Sequence, residues 1–179
     1  GVELAHNIVE GFGRLGIAQS TIDLLTQLIT DRKGMGSKGY MTVGKQGADY
    51  IKEEITGEQL KKNTDYLEGI KTWVGNNCDV IPCREALKID TKQKQRLDRI
   101  FGTSFIDTVL IVKQESGILF SDDEILRTMS KNTYGISGTW TQIVINQLLI
   151  KGKITKQQYN SASIKLVNSN YHHTSIDSG

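Results

Sequence analysis

Two cysteines, one proline and three histidines are all that the 179 residues offer of the types that most often mark a covalent framework or a ligand cluster. Cys78 and Cys83 are too few for a disulfide scaffold and lack the second ligand pair of a zinc site. They read as buried or idle thiols, with a reducing cytoplasm as the default compartment. His6, His172 and His173 have no partner spacing for metal or nucleophilic chemistry, and the terminal pair reads as an exposed edge. No apolar run approaches the roughly 20 residues that span a bilayer, and no positively charged leader precedes an apolar stretch, so no membrane association is expected. A formal net charge of +2 excludes a global basic field that would demand nucleic acid, while leaving a local basic surface open. The chain has neither internal repeats nor low-complexity segments. It reads as soluble and as one domain over 1–179, long enough to bury a core.

What is present is an alternation of helical and strand-like patterns. Residues 2–10 carry apolar groups at helical spacing and end at Gly11 and Gly13. Gly16–Gln19 suits a short strand. Ser20 and Asp23 then have N-cap spacing for a helix that turns Ile22, Leu25, Leu28 and Ile29 inward. From Gly34 to Ala48 glycines alternate with Lys33, Lys38 and Lys45 around Tyr40–Val43, which predicts a poorly ordered hairpin or loop within a Gly/Lys-rich insertion over 34–57. Gly44-Lys45 is no phosphate loop, because the glycine spacing and the following Ser/Thr are missing. A helical insertion over 58–101 follows. Its parts are a helix over Glu58–Val74, a strand or connector ending at Pro82, and a basic helix over Thr91–Phe101 stopped by Gly102. Lys92, Lys94, Arg96 and Arg99 on that last helix read either as a solvated face or as a grip on phosphates. Trp73 and Trp140 read as core anchors.

The most informative stretch is Gly117-Ile-Leu-Phe-Ser-Asp-Asp-Glu124. A short apolar run ends on adjacent carboxylates and leads into a helix, then a short strand around Ile136, a helix over Thr141–Ile150 and a last helix capped by Thr155 and Gln158. Ligands and metals collect beyond the carboxyl ends of parallel strands, so Asp122 and Asp123 are candidate metal ligands. Clustered carboxylates repel one another unless a cation neutralises them, and magnesium suits oxygen ligands while keeping waters in its shell. The bland alternatives are helix caps: Asp107 through Ser104-x-x-Asp, Asp122 or Asp123 for the helix that follows, and Asp23 in the same way.

Ile118–Arg127, Tyr134-Gly-Ile-Ser-Gly-Thr139 and Leu149–Thr155, taken in order, resemble the C-terminal half of a PIN domain, a family of magnesium-dependent ribonucleases. Ser104–Asp107 resembles the family's third acidic position, and Ile17–Leu25 its second strand and following helix. The likeness runs over 102–177 and more weakly over 2–32; none is read over 34–100. It implies a three-layer α/β/α fold with a mainly parallel sheet, in which 17–19, 118–121 and 135–137 are parallel strands. It also implies Mg2+ or Mn2+ held by Asp107, Asp122 and Asp123, with Asp23 the nearest substitute for a glutamate whose place is taken by Leu24 or Leu25. Ser121 and Thr139 would bind water or phosphate. Asp107 and Asp122 are expected to approach one another at the sheet edge.

The resemblance implies RNA as substrate, cleaved by metal-activated water, and a toxin or defence role. Partners implied are an inhibitory protein or fused modules, and a homo-oligomer is a further expectation. The domain is expected to be N-terminally incomplete, its central first strand and first aspartate coming from an omitted segment or another chain. Without that strand, buried backbone groups at the gap cost roughly 1–3 kcal/mol each. The competing reading is a non-catalytic PIN-like interaction module of a larger regulatory protein.

Overall fold

The structure, a computed structural model, describes residues 2–36, 38–47 and 49–168. In chain order the elements are α1 Val2–Phe12, β1 Leu15–Ala18, α2 Gln19–Gly34, β2 Tyr40–Gln46, β3 Asp49–Ile55, α3 Gly57–Asn77 and β4 Cys78–Ile81. After a 3-10 turn at Glu85–Lys88 come α4 Thr91–Phe101, α5 Thr103–Gln114, β5 Leu119–Phe120, α6 Glu124–Tyr134, β6 Gly138–Thr139, α7 Thr141–Ile150 and α8 Lys156–Asn168. His172 and His173 lie outside the described residues.

Local chemistry sets the ends of the helices. Thr56 and Gln59 form a reciprocal cap at the head of α3, and Thr155 and Gln158 do the same for α8, with bonds of 2.8–3.2 Å. Asp90 accepts from the amides of Lys92 and Gln93 to start α4. α6 stops at Gly135, whose φ of 69° is the left-handed conformation that favours glycine. The Ile136 amide then reaches back to the Ser130 carbonyl at 3.3 Å, and Ile136 turns into the core.

Two expected caps do not form. α2 begins at Gln19, so Asp23 lies a turn inside it and accepts from Gln19 Nε2 at 2.8 Å. α5 begins at Thr103 after Gly102, so Ser104 and Asp107 are both helical. An N-cap needs a non-helical backbone, which neither serine has at these helix starts.

β1 and β4 pair in parallel from Leu15↔Cys78 to Ala18↔Ile81, and β5 and β6 pair in parallel through Leu119↔Gly138 and Phe120↔Thr139. Arg14 ties the first pair together, donating to Asp79 Oδ1 and to the carbonyls of Asn76 and Cys78, each at 2.7 Å. Among the described residues the two pairs are not hydrogen-bonded to each other. Of the three strands expected to run parallel, the second and third are partners, and the first is parallel to β4 instead. The third sits at Gly138–Thr139 rather than 135–137, because α6 runs on to Tyr134 and its termination uses Gly135 and Ile136.

α5 bridges the two strand pairs. It packs against β1 and β5, and also against α2, α4 and α6, burying Ile106, Val109, Leu110 and Ile111. One core cluster joins Val109 to Leu119, Leu126 and Ile136; another joins Ile145, Leu148, Ile154 and Ala162, with Ile8 of α1 against it. The glycine-rich stretch is an exposed antiparallel ribbon of β2 on β3, in register from Tyr40↔Ile55 to Gln46↔Asp49. The hairpin expected within 34–48 therefore extends to Ile55. Gly39 closes its base at a φ of 74°, where a Cβ would lie 2.1 Å from the Ile55 carbonyl oxygen.

Leu119 is fully buried between α5 and α6, so Leu119→Ala leaves a cavity as well as losing apolar burial. Urea denaturation is expected to show a loss of about 2–5 kcal/mol. A loss below about 1 kcal/mol would show that β5 is not held by this cluster.

Candidate metal centre and acidic edge

β5 ends where the acidic residues begin. The Ser121 amide donates to the Thr139 carbonyl at 3.0 Å, one step beyond the β5–β6 ladder, and its carbonyl accepts from Arg127 Nη1 at 2.7 Å. Asp123 caps α6, accepting from the Leu126 amide at 2.9 Å, while its own amide donates to Ser121 Oγ at 3.2 Å. Asp122 reaches across to α7, its carboxylate accepting from the Thr141 amide at 2.8 Å and from Thr141 Oγ1 at 2.7 Å. Trp140, the residue before α7, gives that helix no side-chain cap, so Asp122 supplies one through space. A carboxylate there is favoured by the orphan amides and partial positive charge of a helix start. Asp122 and Asp123 are both exposed. Thr139 and Ser121 thus stand side by side at the end of the strand pair that the two aspartates flank.

Asp107 has different company. Lys94 Nζ donates to Asp98 Oδ1 at 2.6 Å and lies 3.0 Å from Asp107 Oδ1, the three side chains being 15%, 23% and 14% exposed. Asp107 Oδ1 is shut off from solvent and accepts no well-directed hydrogen bond, so the ammonium meets it as an ion pair. Burial works against the charged Lys94, but the Asp98 bond and the Asp107 contact outweigh it and hold its pKa above the ordinary 10.5. A raised lysine stabilises the fold fully below its unfolded pKa, so this contribution is intact at neutral pH and disappears only as pH rises through the raised value. The Cys83 thiol approaches the Asp107 carbonyl at 3.8 Å. Burial pushes both the Cys78 and Cys83 thiols up, which keeps them protonated and unreactive.

Among the described residues no three His, Cys, Asp or Glu side chains come together to hold a metal ion. The structure therefore does not gather Asp107, Asp122 and Asp123 into one cage, and Asp23 stays on α2 with Gln19. The donor sets divide. Asp122 and Asp123, exposed hard-oxygen ligands on adjacent residues, fit a magnesium ion that keeps most of its waters. Asp107 does not fit as a third ligand, because Lys94 already compensates its charge.

Sequence reasoning missed Arg127 and Lys94 as organisers. Arg127 lies over the Trp140 ring at 4.8 Å while holding the Ser121 carbonyl, joining the end of β5 to the start of α7. The one signal available for it was its place four positions after the cap residue Asp123. A cleft of about 280 Å³ opens beside this edge, between Thr21 and Leu24 of α2, Ser104, Phe105 and Thr108 of α5, and Phe120 and Ser121.

Lys94→Met removes the ammonium and leaves two half-buried carboxylates facing each other. The unfolding free energy is expected to fall by about 2–3 kcal/mol, and adding Asp107→Asn is expected to restore part of it. Denaturation midpoints unchanged by Lys94→Met would mean that the ion pair is not formed.

No curated protein and no solved structure matches the chain. A family model does match, over residues 1–132, running through the 34–100 stretch that carried no motif likeness and stopping before the Tyr134–Thr139 motif. That family is described as the PIN domain associated with the TPR-GreAB-C-PIN system, and with 132 of its 179 residues matched the chain belongs to it.

Proposed function

We propose that this PIN domain is a metal-dependent endoribonuclease acting within a larger assembly. The observation that carries the reading is the adjacent carboxylate pair, Asp122 and Asp123, at the carboxyl end of a parallel strand pair in a chain of the PIN family. Parallel strand pairs with helices between them support a three-layer α/β/α arrangement. No helix among the described residues is long and apolar enough to cross a membrane. The system in the family's description names TPR and GreAB-C modules besides PIN, which supports fused modules or partner proteins.

In this reading Asp122 and Asp123 hold Mg2+ or Mn2+, and the ion, when bound, supplies an activated water and neutralises charge on the phosphodiester. The chain's own residues do the rest. Ser121 and Thr139 offer hydroxyls to phosphate or water at the end of the β5–β6 pair, Arg127 fixes the Ser121 backbone, and the cleft beside Ser104 and Phe105 admits a flexible single strand. Lys94 with Asp107 keeps α4 against α5 on the flank of the site.

A second reading, a non-catalytic interaction module, is favoured by one specific observation: Asp107 is neutralised by Lys94, and Asp122 and Asp123 both already serve as helix caps. The two readings part on metal. At ten times its dissociation constant a bound ion adds about 1.4 kcal/mol, or roughly 3–6 °C of melting temperature for a chain of this size. Manganese is expected to give that rise in the unsubstituted protein and none in Asp122→Asn, with RNA cleavage lost alongside it. The readout is the manganese-dependent increment, since loss of the α7 cap lowers the baseline in any case. An absent increment and absent cleavage would establish the interaction module instead.

A further inference from the structure

The β2–β3 ribbon is the one element pair whose residues pack on each other and only marginally on the rest of the described chain. Isolated two-stranded ribbons are marginal in water, yet this one exposes apolar side chains on both faces. Met41, Val43 and Tyr50 share one face with Lys45, Lys52 and Glu54, as the pairings Met41↔Glu54, Val43↔Lys52 and Lys45↔Tyr50 require. Val43 is 63% and Tyr50 74% exposed. The other face carries Tyr40, Thr42 and Ile51, with Gly44 between them.

The two outer edges differ in charge. β3, Asp49-Tyr-Ile-Lys-Glu-Glu-Ile55, has a charge at four of its seven positions, the usual guard against edge pairing. β2, Tyr40-Met-Thr-Val-Gly-Lys-Gln46, has one, Lys45. We propose that the β2 edge is a self-association surface whose occupant is β2 of a second copy of this chain, added antiparallel about a two-fold axis through Val43.

Register and charge select this occupant. Centred on Val43, the pairing sets Val43 against Val43 of the second copy, Thr42 against Gly44 and Met41 against Lys45. No charge faces a like charge, and the stem of each Lys45 covers a Met41. The two Lys45 side chains fall four residues apart along the ladder, about 14 Å, beyond one screening length at physiological salt. Self-pairing of β3 centred on Lys52 would instead oppose Lys52 to Lys52. A two-fold β2 contact also closes on itself, whereas β2 on β3 would propagate without end. The product is a four-stranded sheet in which Val43 and Met41 of both copies meet on one face, with Lys45, Lys52 and Glu54 around them. This assignment rests on the ribbon alone and stands apart from the nuclease reading.

Light scattering behind size exclusion, over a micromolar concentration series, is expected to show a dimer. Val43→Lys places two ammonium groups opposite each other and is expected to raise the dimer dissociation constant at least about tenfold. Val43→Glu is expected to do the same, and an equimolar mixture of the two variants to recover the dimer, which a misfolded ribbon would not do. Thr42→Cys mixed with Gly44→Cys is expected to form an intermolecular disulfide absent from the unsubstituted protein, because this register alone brings the two positions together. A monomer throughout the series overturns the proposal. So does a dimer indifferent to both Val43 substitutions, or protection of the ribbon from proteolysis by RNA and not by protein concentration.

Discussion

The burial of α5 is the constraint on which the rest of this structure depends. A helix that buries Ile106, Val109, Leu110 and Ile111 has a broad apolar face to cover, while Phe105 and Lys113 reach solvent. The elements that cover that face are α2, β1, α4, β5 and α6. Neither parallel pair is independently stable: β1 and β4 have four residues each, β5 and β6 two. Their positions are set by what α5 needs covered, and through β5 the acidic edge is placed by a helix that contributes none of its exposed carboxylates.

Much of that was readable from spacing. α4 and α7 fall where the apolar period and the stop glycine put them, and the Thr155 and Gln158 cap is formed as its residues imply. Readings failed where a competing device supplied the same service. Ser20 and Ser104 have cap chemistry, but the backbone turns helical one position earlier at Gln19 and Thr103. Strand length was the weakest inference, because Gly135 and Ile136 serve the termination of α6 before any ladder begins. The glycine-rich stretch was legible as a hairpin, yet not in extent, since Lys52 and Glu54 mask the alternation that carries β3 to Ile55.

The acidic edge was legible in part for a physical reason. Adjacent aspartates after an apolar run announce a strand end, and Asp123 could be read as a cap because its target lies three residues ahead. Asp122 caps a helix that starts nineteen positions later, and Lys94 reaches Asp107 from the neighbouring helix. Interactions of this range leave no periodic trace in a single chain. The resemblance grouped Asp107 with Asp122 as like residues, whereas in the structure each carboxylate has a partner of its own.

That difference bears on where a cation can act. A half-buried carboxylate must be compensated, and a lysine on a rigid helix does so permanently, with no dependence on ion concentration. Asp107 has that arrangement, so its charge is spent on holding α4 to α5. Asp122, by contrast, is exposed and accepts from the amide and hydroxyl of Thr141. A hydrated divalent ion can reach an exposed carboxylate such as Asp122, whereas Asp107 is already closed in by Lys94. The end of β5 is thus the part of the candidate site open to solvent, whereas Lys94, Asp98 and Asp107 form a closed set that holds α4 to α5.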